Sequence, residues 1–207
     1  MLNWFKSNHQ VITAIGAMTV GLAALFVAWD QARVMRAQQH GAAYPAVQVD
    51  GYFTQTSTRE AVGMRVSNSG VGPARIEDVS FLRDGSPSQD LSPIFAVLPE
   101  TTDLSWTTMI GRMVAAGGQV EPMEFAWSQG SADTEEIDAL QAEWRRWDVR
   151  ICYCSVFDRC WIADTSGTGR RPERVQHCPR PDDDIFEIMG ALDLSPEATE
   201  SDEVTSP

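Results

Sequence analysis

Histidine is scarce, and the usual catalytic signatures are missing. The 207 residues hold three histidines, at positions 9, 40 and 177, and the first two belong to a segment that reads as a tether. Ser-His-acid catalysis would have to run through His177, yet no Gly-x-Ser-x-Gly elbow accompanies it. A Cys-His pair with Cys178 is disfavoured, because neighbours along an extended strand point to opposite faces. Gly167-Thr168-Gly169-Arg170-Arg171 lacks the lysine and following helix of a phosphate-binding loop, so it reads as a connection between strands. The acids Glu121, Glu124 and Asp182 to Asp184 match no EF-hand spacing. No residue is assigned as catalytic, cofactor-binding or metal-binding, and no cofactor is expected.

Positive charge is also in deficit. Sixteen basic residues face 29 acidic ones, a formal charge of −13. All the acids lie at or after Asp30, whereas Lys6 is the one base before it. Such a body repels phosphate backbones, which excludes nucleic acid as a partner. An apolar share of 43% and a charged share of 22% are ordinary for a folded chain and exclude wholesale disorder. The length suits one domain.

Charge is wholly absent from Val11 to Trp29, a run of 19 residues. At 1.5 Å per residue it spans a hydrocarbon core of about 30 Å. It exceeds the usual core of a cleaved signal peptide, and Phe26 and Ala28 around Val27 make a poor cleavage site. The expected organisation is therefore an N-terminal flank (1–10), a single-pass transmembrane helix (11–29) and a helical stalk (30–44). Trp4, Phe5 and Trp29 fall where interfacial aromatics belong. Ala14, Ala17, Gly21, Ala24 and Ala28 share one helix face, a candidate packing face for a second helix, either of another protein or of a second copy. Lys6 and the amino terminus on one side nearly balance Arg33 and Arg36 on the other, so positive-inside counting does not orient the span.

Beyond Tyr44-Pro45 the apolar period changes to two. Val47 and Val49 alternate with Gln48 and Asp50, and strands are expected at 61–67, 74–82, 105–109, 119–127, 147–157, 159–163 and 174–177. Asn68-Ser69-Gly70-Val71-Gly72-Pro73 and Asp84-Gly85 read as turns. One helix interrupts the series. Asp133 and Glu136 form a capping box at its start, Ile137, Leu140 and Trp144 make its apolar stripe, and Arg145 and Arg146 suit its end. Short strands punctuated by turns predict a mainly β fold, an immunoglobulin-like β-sandwich with one extra helix, over residues 45–181. The stretch 182–207 holds nine acids and no base. It is expected to be a largely disordered acidic tail, although Ile185, Phe186, Ile188 and Met189 form an apolar cluster able to dock on the body.

Asn68-Ser69-Gly70-Val71-Gly72-Pro73-Ala74, followed by Arg75-Ile76 and Asp84-Gly85, resembles a pattern in uncharacterised bacterial single-pass membrane proteins. In those, a span leads through a segment like Gln38-Gln39-His40 and a step like Tyr44-Pro45 into a β domain. The turn is also similar to that of immunoglobulin-like adhesion modules of the CARDB kind. The likeness covers about residues 30 to 85. It implies a sandwich and a membrane anchor, and carries over no catalytic residue.

Four cysteines remain: Cys152, Cys154, Cys160 and Cys178. In the strand from Trp147, alternation puts Val149, Ile151 and Tyr153 on the core face and Cys152 and Cys154 on the other. A turn near Asp158 brings Cys160 towards them. The cluster can form disulfides in three pairings, remain free thiols, or ligate zinc, though regular Cys-x-x-Cys pairs are absent. An even count on a non-core face favours a compartment where disulfides persist, the periplasm. The resulting expectation is a bacterial inner-membrane protein whose sandwich binds other proteins or serves as an accessory subunit of a membrane complex. The alternative is a thiol-dependent redox or metal-binding module built on the four cysteines.

Overall fold

A computed structural model describes residues 9–165, 171–179 and 184–190. It divides into two compact units between Tyr44 and Pro45. In the first unit α1 (His9–Ala42) is one continuous helix of 34 residues, about 50 Å long at the standard rise. From Gln10 to Ala42 it is long and apolar enough to cross a membrane, and no residue of its most apolar 18-residue window is buried. The five small residues of the packing face lie on it, and a Cβ added at Gly21 would meet nothing within 4 Å. Trp4, Phe5 and Lys6 lie outside the described residues.

The second unit is mainly β, all its pairings antiparallel. One sheet has the order β1-β2-β7-β5, from β1 (Val47–Gln55), β2 (Arg59–Asn68), β5 (Asp103–Trp106) and β7 (Gln119–Ser128). The other runs β10-β9-β8-β3-β4, with β6 also paired to β3. Its strands are β3 (Ala74–Arg83), β4 (Ser86–Pro87), β6 (Met113–Val114), β8 (Trp147–Cys154), β9 (Cys160–Asp164) and β10 (Glu173–Val175). Val62, Met64, Met123 and Phe125 from the first sheet share one core with Ile76, Phe81, Ile151 and Tyr153 from the second. That arrangement is a two-layer sandwich.

The Asn-x-Gly turn owes its sequence to Asn68, whose side chain is fully buried. Its Oδ1 accepts from the backbone N–H groups of Ala46 and Gly70, both at 3.0 Å. Its Nδ2 donates to the carbonyls of Gly72 at 2.8 Å and Val114 at 3.1 Å. One amide thus satisfies four backbone groups and ties the start of β1 to the turn and to β6.

A short helix α2 (Ser92–Phe95) and the longer α3 (Thr134–Trp144) lie between strands. The capping box of α3 is formed in both directions, Asp133 with Glu136, at 2.9 Å each. Leu140 is buried, and Ile137 and Trp144 are half-buried against the core. At Gly51 a Cβ would lie 2.9 Å from Trp144 Nε1, so only glycine lets the indole come that close to β1.

Several expectations shift. β5 ends at Trp106 rather than continuing to 109, because Met109 turns into the core. β8 ends at Cys154 rather than at 157, because the Ser155 N–H donates to the Arg159 carbonyl at 2.8 Å and closes a tight turn with Asp158 at φ 54°. The sandwich does not stop at Pro181. A last helix, α4 (Ile185–Gly190), places Ile185, Phe186 and Met189 in the core, with the Phe186 and Phe81 rings 5.8 Å apart, edge to face. Asp184 begins it. One of its oxygens accepts from the N–H groups of Met109 and Ile110, both at 2.9 Å, and the other caps Phe186 N–H. Acidity suggested a solvated segment there, and the apolar cluster outweighed it. The tail beyond Gly190 lies outside the described residues, as do Asp182 and Asp183.

Candidate functional site

The four cysteines meet on the outer face of the second sheet. Cys154 and Cys160 sit directly opposite each other on β8 and β9 and are joined, Cα to Cα 4.0 Å. Cys152, two residues earlier on the same face, is joined to Cys178 across 5.7 Å. The two bonds adjoin: Cys154 Sγ and Cys178 Sγ are 3.8 Å apart. Cys152, Cys154 and Cys160 are buried. No cysteine is free. A thiolate that could ligate zinc or start an exchange therefore does not exist in this state, although the sulfurs of Cys154, Cys160 and Cys178 lie within 4.8 Å of one another. His177 is exposed beside Cys178, whose sulfur is committed to Cys152.

The acids considered as cation ligands have other work. Glu121 pairs with Arg65 at 2.8 Å. Glu124 accepts from the Tyr52 hydroxyl at 2.9 Å and pairs with Arg59. Burial and then the Glu124 bond push the Tyr52 phenol above its ordinary range. The Tyr52 ring lies over Gly63, where a Cβ would come within 2.7 Å of it, and the Arg65 guanidinium stacks on the ring at 4.9 Å. Asp184 is a helix cap, as above. Gly167 to Arg170 lie outside the described residues.

Sequence reasoning missed a patch at one end of the sandwich. Arg75 pairs across the sheet with Met113 on one side and with Cys154 on the other. The β2–β3 and β8–β9 turns therefore emerge beside one another. Val71, Met113, Val156 and Phe157 are exposed there, at 67%, 49%, 48% and 46%. Arg75 is bound to Glu77 and Asp158, and Arg112 holds the Thr108 carbonyl and the Thr107 hydroxyl. Assigning Val156 and Phe157 to a strand hid them. The available signal was apolar side chains inside turns, at Val71 and just before Asp158, where polar residues are the norm.

Residues 10–167 match a family described as Domain of unknown function (DUF8453). The chain belongs to this family. The match covers nearly all of α1 and the sandwich through β9, so Cys178, β10 and α4 lie beyond it, and the Cys152–Cys178 bond joins the shared region to the segment that follows. No curated protein matches the chain.

Proposed function

We propose that this is a non-catalytic, membrane-anchored protein of the bacterial inner membrane whose immunoglobulin-like sandwich stands in the periplasm and binds another protein as an accessory subunit. The two disulfides support the compartment, since such bonds persist where the surroundings are oxidising. The length and apolarity of α1 support the anchor, and its small-residue face offers a place for a neighbouring helix.

The observation that carries the binding role is the apolar end made by Val71, Met113, Val156 and Phe157. Rigid strands and a cross-strand disulfide hold these side chains in place, so little ordering entropy opposes contact. A photo-crosslinking amino acid at Phe157 or Val71, in cells, is expected to give a discrete adduct. The same label at Glu100, exposed at the opposite end, is expected to give none. Equal labelling from both ends, or none from either, would remove the binding role. Reactivity of introduced cysteines with a membrane-impermeant reagent in intact spheroplasts tests the compartment independently.

A further inference from the structure

Beside α3 the space between the sheets is not filled. An inner cavity of about 200 Å³ is lined by Met64, Phe81, Ile94, Met123 and Val149 among others. An outer one of about 290 Å³ is lined by Phe53, Val62 and Leu140. Gly51, Trp144 and Arg145 line both, so the two adjoin at Trp144. An apolar cavity of about 150 Å³ is enough to hold benzene. The inner cavity thus takes one aromatic ring or an alkyl chain of about six carbons, and two methionine side chains in its wall adapt to either.

The rim supplies the polar end. Arg146, beside it in sequence, is tied to Asp84 and Glu143, and Arg83 to Glu143. Arg145 is exposed and has no ion-pair partner among the described residues. The acid facing the inner cavity, Asp148, accepts the Thr165 hydroxyl at 3.0 Å. Asp148 is charged too but lines only the inner cavity, and the charged residue lining the outer opening is Arg145, whose planar fork matches a carboxylate. The acidic body disfavours a dianion such as a phosphate monoester more than a monoanion.

We infer that the space around Trp144 binds a small monocarboxylate with an apolar tail, the tail between the sheets and the carboxylate on Arg145. The inference stands apart from the protein-binding role, because the apolar end lies at other residues. Its test uses full-length protein in lipid nanodiscs, free of detergent, with hexanoate, 3-phenylpropionate, hexanol and hexylamine as probes and empty discs as background, read by saturation-transfer NMR. Saturable hexanoate or 3-phenylpropionate binding, with the strongest transfer at the tail, is expected. Arg145→Gln, an exposed change, is expected to weaken carboxylate binding about 5- to 10-fold and to leave hexanol unchanged. Ile94→Trp, where it still melts cooperatively, is expected to abolish all binding. No saturable carboxylate binding, equal carboxylate binding by Arg145→Gln, hexylamine binding more tightly than hexanoate, or a folded Ile94→Trp protein that still binds would each overturn the inference. If Ile94→Trp fails to fold, the Arg145→Gln comparison decides.

Discussion

The first and last segments of the sandwich are held by different chemistry. β1 joins the fold through a nine-residue ladder with β2, from Val47 opposite Asn68 to Gln55 opposite Glu60. At its start the Asn68 side chain accepts the Ala46 N–H, and on its outer face Tyr52 bonds Glu124 and stacks with Arg65. The last segment has a ladder of three residues, β10 against β9. It is held instead by one covalent bond, a capping aspartate and three plugged side chains. A ladder and its cross-strand side-chain contacts form wherever the strand alternation is right. A plug and a disulfide form only when a distant part of the chain has already made the place for them.

This contrast ranks the effects of breaking each. Ending the chain after Pro181 removes Ile185, Phe186 and Met189 from the core and leaves the Met109 and Ile110 N–H groups without Asp184. Large-to-small changes at single core sites cost about 2–5 kcal/mol, so this truncation is expected to abolish cooperative unfolding, checked by thermal melts followed by near-ultraviolet circular dichroism. Ending after Gly190 is expected to leave the melt unchanged.

Replacing Cys152 and Cys178 together by serine opens a loop of 26 residues, worth about 3.5 kcal/mol by loop entropy. The same change at Cys154 and Cys160, separated by 6, is worth about 2 kcal/mol. Urea midpoints of the two double variants check the order. Asn68→Ala leaves up to four backbone groups without their partner and is expected to cost about 3 kcal/mol, whereas Ser69→Ala nearby is expected to cost under about 0.5 kcal/mol.

The ion pairs lie at the bottom of the scale. Arg65→Ala with Glu121→Ala is expected to shift stability by less than about 1 kcal/mol, and the shift is expected to shrink in high salt. Glu143 and the exposed Asp84 both have depressed carboxyls, and Glu143 is the more enclosed of the two. The Arg83 guanidinium holds the Glu143 carboxyl below the usual range, and Trp147 Nε1 also donates to that carboxylate. A depressed folded pKa contributes stability above the unfolded value near 4.5, lost as pH falls through the folded pKa. Arg83→Ala is expected to flatten that loss in melts between pH 3 and 6.

The contrast also explains how much the sequence shows. The long strands of the first sheet, the helix cap at Asp133 and the turn at Asn68 are local patterns, and alternation or capping residues reveal them at once. β4, β6 and α2 escape, since two- and four-residue elements have no period. Met109 and Asp184 escape for another reason: each is set by the other, 75 residues away. The apolar content of 185–189 was visible, but its destination was not, because acidity and position argued for solvent while burial depended on a gap in a core assembled elsewhere. The cysteines showed their faces through alternation but not their partners. Cys154 and Cys178 are near enough that neighbouring pairings differ by only a few ångströms.

The last segment is fastened to the sandwich by a covalent bond, Cys152 to Cys178. Peptide mapping of full-length protein, alkylated during extraction from membranes and digested without reductant, tests it most directly. The account predicts two linked species, Cys152 with Cys178 and Cys154 with Cys160. Four alkylated cysteines, or Cys154 linked to Cys178, would contradict it.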